Sequence, residues 1–201
     1  MCHRVTPLTL PDLEEALDNL RTTGRASMPR RDDTETVPDA YPGTQMPLFV
    51  PNKAGELTAR LLTWGFQQPG GGASKLVFNT RIETALQQAQ SGRGLWHRPI
   101  LGGRCLVPVR GFYESWTKEP PRRGAQVRFA LPRHAVFLLA GVYEDERFSI
   151  VTTTPNADVA AIHSRMPLVL APGESRVWLG PDFARLANRS TIKLVAQPEE
   201  A

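Results

Sequence analysis

Cysteine at position 2 has the most unusual chemistry open to any residue of this chain. Methionine aminopeptidases remove Met1 when a small residue follows, and a cysteine left at the chain start carries an α-amine and a thiol on adjacent carbons. Such a 1,2-aminothiol reacts with an aldehyde in two steps: the amine forms an imine, and the thiolate then closes a five-membered thiazolidine ring. An α-amine titrates near ~7.7–8, so a usable fraction is neutral at cellular pH. A cysteine at position 2 is equally consistent with an incidental residue when nothing else supports it.

Three other polar residues have two readings each. Glu114 sits beside Phe112, Tyr113 and Trp116, an apolar setting that raises a carboxylate pKa and suits proton transfer near neutrality; it is also placed to pair with Arg110 or Lys118. His163 follows a small, apolar stretch and precedes Arg165-Met166-Pro167, so it is either a satisfied core histidine or a proton carrier. Asn79 either holds the Cys2 amine through its side-chain carbonyl or caps a helix over Arg81 to Gln90. Cys105, between Arg104 and the apolar Leu106 and Val107, reads as a buried structural thiol. A cytosolic chain with a sizeable core neither needs nor easily keeps a disulfide, so both thiols are expected free.

The elements that must position these residues are short. Eighteen prolines and sixteen glycines in 201 residues favour many strands and turns over long helices. Thr9 caps a helix with Pro11, Asp12, Glu14 and Glu15 near its positive end and Leu13, Leu17 and Leu20 as its stripe. Thr22 to Pro47 reads as a long polar loop, and Gln67 to Ser74, with three consecutive glycines, as a flexible one. Strands are expected at Pro47 to Val50, Leu57 to Trp64 and Arg104 to Val109, the last entering a tight Arg110-Gly111 turn. Further strands follow at Gln126 to Leu131, Ala135 to Val142, Arg147 to Thr153, Leu168 to Leu170 and Thr191 to Gln197. Ile82 to Gln90 and Pro155 to Ile162 read as helices, and Phe183 to Ala187 as a helical turn. With no linker and no repeat, the sum is an α+β, strand-rich single domain over residues 1–201 with a few short helices.

A net charge of +4 hides an uneven distribution. Between Lys75 and Arg133 eleven Lys or Arg residues face three acids, a local excess of eight. The same segment carries Trp96, Phe112, Tyr113 and Trp116, which suits either a solvated basic surface or a groove for unpaired bases. The longest apolar run, near Ala135 to Val142, is too short to span a membrane, and Met1 to Leu10 lacks the apolar stretch of a leader peptide, so a cytoplasmic protein is expected. His97 and His134 stand apart from other ligand types and no Cys-x-x-Cys occurs, so no metal site is expected. Gly70 to Gly72 lacks the Lys-Ser/Thr ending of a phosphate loop, so no cofactor is expected either.

Four separated blocks carry a resemblance. Met1-Cys2 with Arg4, Phe78-Asn79-Thr80-Arg81-Ile82-Glu83-Thr84, Arg104-Cys105-Leu106-Val107-Pro108 with Gly111-Phe112-Tyr113-Glu114, and Thr153 through Leu170 with Ile162-His163-Ser164-Arg165-Met166-Pro167 resemble the SOS response-associated peptidase (SRAP) family in its own block order. The resemblance implies a twisted, partly barrel-like antiparallel sheet core. It implies Cys2 as covalent nucleophile, Asn79 positioning it, Glu114 as acid or base and His163 assisting proton transfer. It also implies Arg4, Arg81, Trp64, Arg104, Thr153 and Arg165 near DNA. The implied activity is covalent capture of abasic sites in single-stranded DNA by a monomer, nucleoid-associated when bound, with a lyase side reaction. Alternatives are a cysteine-type (auto)peptidase using Cys2 and His163, and a non-enzymatic single-stranded DNA binder. The chain departs from the family at His3, where Gly is usual, at Tyr41 to Gln45, and after Trp64-Gly65-Phe66, where a second tryptophan is common.

Overall fold

The computed structural model describes residues 2–23, 37–68, 75–116 and 125–199. Strand β1 (Arg4–Pro7) leads into helix α1 (Leu10–Thr23), followed by the hairpin β2 (Gln45–Pro51) and β3 (Leu57–Trp64). The short strands β4 (Phe66–Gln67) and β5 (Leu76–Val77) form a separate ribbon, and β6 (Asn79–Arg81) feeds α2 (Ile82–Ser91) and α3 (His97–Gly102). Four strands then carry the sheet: β7 (Arg104–Ser115), β8 (Gln126–Ala130), β9 (Phe137–Glu144) and β10 (Arg147–Thr153). The chain finishes through α4 (Ala157–Ala160), β11 (Met166–Pro167), β12 (Val169–Leu170), α5 (Ser175–Leu179), a 3₁₀ turn at Phe183–Ala187 and β13 (Val195–Pro198).

The α+β, strand-rich class with few short helices holds, and so does the partly closed sheet. Strand β9 bonds to both β10 and β7, and β10, β3, β2 and β7 are linked in turn, so five strands close a ring. The sheet is mixed rather than antiparallel throughout: β10 runs parallel to β3 and to β6, because long connections through α2, α3 and β7 to β9 return the chain in the same direction. Alternation along the strands sorts the core onto two faces. Met46, Leu48, Cys105, Val107 and Phe148 fill the ring, while Phe49, Leu106 and Val151 face outward under α1, α2 and α5.

Local chemistry explains where elements start. Thr9 and Asp12 cap α1 reciprocally: the Asp12 amide donates to Thr9 Oγ1 at 3.3 Å and the Thr9 amide to Asp12 Oδ2 at 2.9 Å, a device worth about 1 kcal/mol. Helix α2 ends on Gly92 at φ 68°, the left-handed position glycine tolerates without strain. Strands β3 and β10 have the expected bounds. Of the two expected loops, 24–36 and 69–74 lie outside the described residues.

The expected Arg110-Gly111 turn is not a turn. Strand β7 runs straight through it to Ser115, and the pair forms a β-bulge: β1 sets Pro7 opposite Val109 and Thr6 opposite Gly111, leaving Arg110 unmatched. One extra residue reverses the in–out alternation beyond it. Cys105, Val107 and Val109 face the ring interior before the bulge, and Phe112 faces the same cluster after it. Glu114, two residues on, therefore points inward as well and is fully buried. Arg128 Nη2 donates to the Arg110 carbonyl at 2.7 Å, satisfying a group that would cost about 1–3 kcal/mol if left bare.

Candidate active site

The inward turn of Glu114 brings it to the chain start. Cys2 precedes β1, which pairs with the far half of β7 so that Arg4 lies opposite Tyr113 and Val5 opposite Phe112. Asn79 opens β6, held by β10 through the Ile150–Asn79 pairing. His163 follows α4, whose first turn is capped by Asn156 Oδ1 accepting from the Val159 amide at 3.0 Å. Four residues from four places in the sequence thus meet at one end of the ring.

Their contacts are specific. Asn79 Nδ2 donates to the Cys2 carbonyl at 2.8 Å, whereas its Oδ1 is buried with no hydrogen-bond partner among the described residues. Asn79 does not cap α2, whose N-cap position is Arg81 with no side-chain cap bond. His163 Nδ1 lies 3.6 Å from Glu114 Oε2, and the Arg165 amide and carbonyl both approach that nitrogen at 3.0 Å. Of the two alternative partners for Glu114, Lys118 lies outside the described residues.

Burial sets the protonation order. It pushes the Glu114 carboxyl up to about 7, so acid and carboxylate coexist near neutral pH. Burial, and after it the Glu114 charge, holds the Cys2 thiol well above the ordinary thiol range; Sγ lies 3.7 Å from the Arg4 carbonyl. Burial lowers the His163 pKa, which keeps the ring neutral at pH 7. The site therefore presents a thiol, a neutral imidazole and a carboxyl that can give or take a proton.

The residues expected near DNA separate into two groups. Arg81 is exposed and makes no ion pair with another described residue. Arg4 lies beside the site, its guanidinium 4.0 Å above the Tyr113 ring, but its Nε donates to Asp39 at 2.6 Å and its two outer nitrogens grip Glu199 at 2.6 and 2.7 Å. Arg165 forms a fork on Glu83 with both distances 2.9 Å and donates to the Thr152 carbonyl at 2.8 Å. The remaining three are built into the fold. Trp64 is fully buried, donates Nε1 to the Phe78 carbonyl at 2.8 Å and stacks on Phe148, so no face is left for a base. Thr153 is buried and donates to the Ala187 carbonyl. Arg104 donates to the carbonyls of Ile100, Leu101, Trp178, Leu179 and Gly180, and it stands roughly 30 Å along β7 from Glu114.

The aromatic residues of the basic segment are also mostly core. Phe112 stacks on Phe129 with centroids 5.2 Å apart, and Trp96 packs edge-on to Phe66 at 5.1 Å. Asp39 and Glu199, the carboxylates on Arg4, were not expected at the site; contacts spanning 35 and 195 residues leave no local signal in the sequence. Glu83 does lie in the Asn-x-Arg-x-Glu-Thr block, and its partner Arg165 sits in another block. Among the described residues no helix is long and apolar enough to cross a membrane.

Comparison with known proteins bears on this arrangement. A family model described as SOS response associated peptidase (SRAP) matches residues 1–201. The abasic site processing protein YoaM of Bacillus subtilis is 31% identical over 132 residues, 60% of this chain and 56% of the relative. The abasic site processing protein YoqW of the same species is 30% identical over 152 residues, 70% of this chain and 64% of the relative. The matches to these curated relatives thus span under two thirds of their lengths. A crystal structure of a Bacteroides thetaiotaomicron protein superposes with a TM-score of 0.71 at 20% identity, covering 99% of this chain and 92% of the other.

Proposed function

Because the chain belongs to the SOS response-associated peptidase (SRAP) family, we propose that it processes abasic sites in DNA, and that Cys2, freed by removal of Met1, captures them covalently in single-stranded DNA. The observation that carries this reading is the convergence of Cys2, Asn79, Glu114 and His163 at one end of the ring. The relatives' names, abasic site processing proteins, support the substrate class.

The residues divide the steps between them. The ring-opened abasic sugar presents an aldehyde, and the Cys2 amine adds to it to give a carbinolamine. Loss of water leaves an imine. The imine keeps the amine's proton on nitrogen, the thiol adds to its carbon while giving its own proton to a base, and the thiazolidine closes with one water released overall. Glu114, poised near 7, protonates the departing hydroxyl and then accepts the thiol proton, while neutral His163 moves protons during opening of the sugar. Asn79 fixes Cys2 through its carbonyl, and its unpartnered Oδ1 suits an ammonium. Elimination from the same imine gives the lyase side reaction. Arg81 would meet a phosphate directly, and Arg4 and Arg165 would do so by exchanging Glu199 and Glu83 for it.

A peptidase reading fits the site less well. Burial and the Glu114 charge favour the protonated thiol of Cys2, the opposite of the thiolate a cysteine peptidase uses. Intact mass spectrometry before and after incubation with a single-stranded oligonucleotide bearing one abasic site tests the proposal. Loss of Met1 and a stable adduct mapped to Cys2, absent with undamaged or duplex DNA, are expected. A processed protein that forms no adduct, or retained Met1, overturns it.

A further inference from the structure

Glu114 faces inward because of the parity of strand β7. In a strand without a bulge, alternation from Cys105, Val107 and Val109 would place Phe112 and Glu114 on the opposite face. The extra residue Arg110 corrects that parity, and it does so only while the bulge lies ahead of Glu114. A bulge has no intrinsic address along a strand; a shift of a few residues toward Ser115 would turn Glu114 out.

Two features hold it where it is. Gly111 has no side chain, and a Cβ there would come within 2.7 Å of Arg128 Nε, so the Arg128 guanidinium lies directly over the glycine. From that position Nη2 donates to the Arg110 carbonyl at 2.7 Å, and Nη1 donates to Gln197 on β13 at 3.2 Å. Arg128 is itself paired across β8 with Tyr113, one residue from Glu114.

We propose that Arg128 is a positioning residue for Glu114: with Gly111 it pins the β-bulge at Arg110, and the bulge sets the side of the sheet on which the carboxyl stands. Arg128 touches no reacting atom and acts through strand register. The inference rests on reading Glu114 as the acid and base of the Cys2 reaction, and it adds a residue 14 positions away that the capture chemistry does not itself require.

The test uses the full chain with Arg128→Ala, Gly111→Ala and the conservative Arg128→Lys, each checked for folding by circular dichroism. The first readout is the Glu114 titration, followed without DNA by carbon NMR of labelled glutamate carboxyls. The titratable groups acting on Glu114 are the N-terminal amine, Cys2 and His163, and all three remain in every variant. In Arg128→Ala and Gly111→Ala the titration is expected to fall from about 7 toward the ordinary carboxylate range, and Arg128→Lys is expected to restore part of the shift. The second readout is single-turnover capture at pH 7, expected to drop at least about tenfold while affinity for undamaged single strands stays within about twofold. Glu114 titrating as in the wild type in either folded alanine variant overturns the proposal. A displaced titration with unchanged capture leaves Arg128 as the positioner and overturns the catalytic role of Glu114. A wild-type chain that captures nothing removes the functional reading, while the titration still decides the role of Arg128.

Discussion

The two ends of strand β7 present the same kind of group in different company. At its start stands Cys105, fully buried, its thiol pushed up by burial alone, with Val107 and Gly141 packed around it. Near its other end, across the bulge, Glu114 faces Cys2, equally buried and likewise raised, by burial first and then by the Glu114 charge. The thiols do not differ in exposure. They differ in neighbours: Cys2 has a carboxyl that titrates near neutrality, an imidazole behind it and an amide holding its carbonyl. The arginines follow the same division, with Arg104 satisfied by five backbone carbonyls and Arg4 held by the carboxylates of Asp39 and Glu199. Reactivity here is a property of what the fold gathers around a group, and one end of the strand is built for packing while the other collects titratable side chains.

Swapping the thiols puts the largest effect on this contrast. Cys2→Ser should abolish the covalent adduct outright, since a hydroxyl does not close the ring under these conditions. Cys105→Ala should leave the capture rate within about twofold and cost about 1 kcal/mol of stability, measured by denaturant melts. Adduct formation by Cys2→Ser, or its loss in Cys105→Ala, would erase the distinction between the two ends.

Glu114→Gln comes next. Capture at pH 7 should slow by about 10²- to 10³-fold, and the rate should lose its inflection near 7. Stability carries an independent sign. The folded state holds the Glu114 proton more tightly than the unfolded chain does, so wild-type stability falls as pH rises from about 4.5 through about 7. Glutamine has no such slope, and by pH 8 the variant should gain up to about 3 kcal/mol relative to its difference from wild type at pH 4. Parallel stability–pH curves for the two proteins would show that Glu114 is not held as described.

Much of this was legible in the sequence, and the failures have a common cause. Thr9 and Asp12 cap α1 as their spacing requires, and β3 and β10 fall where alternation places them, because those signals are local. Cys2, Asn79, Glu114 and His163 could be singled out by type and by resemblance, although nothing local fixes their meeting. Arg110-Gly111 looks like a turn because glycine beside a polar residue usually is one. Here the missing Cβ makes room for Arg128, a neighbour supplied by β8 and invisible to local pattern. Trp64 and Arg104 were expected at DNA on resemblance alone, and in the fold the Phe78 carbonyl and the five carbonyls around Arg104 claim their donors. Side chains with several donors can serve either a ligand or the backbone, and only tertiary contacts decide which.

The smallest effect sharpens the contrast between the arginines. Arg104→Gln should lower the melting temperature and leave affinity for single-stranded DNA unchanged, because none of its contacts face the site. Arg4→Gln should weaken that affinity a few-fold and reduce the dependence of log K on log salt by about 0.7, the share of one phosphate contact on a single strand. The Arg4 effect is modest because a phosphate must first displace Glu199, whose two oxygens occupy the guanidinium edge that a phosphate would use. Glu199 is 39% exposed and Arg4 19%, and the two-pronged fork shares Arg4 with Asp39, so displacing Glu199 costs more than breaking an isolated surface pair. Glu199→Gln should therefore move binding the opposite way, tightening it a few-fold, and the gain should vanish when Arg4 is also changed. An equal gain in the Arg4→Gln background would mean that Glu199 acts through net charge alone, and Arg4 would then belong with Arg104 among the arginines that hold the fold.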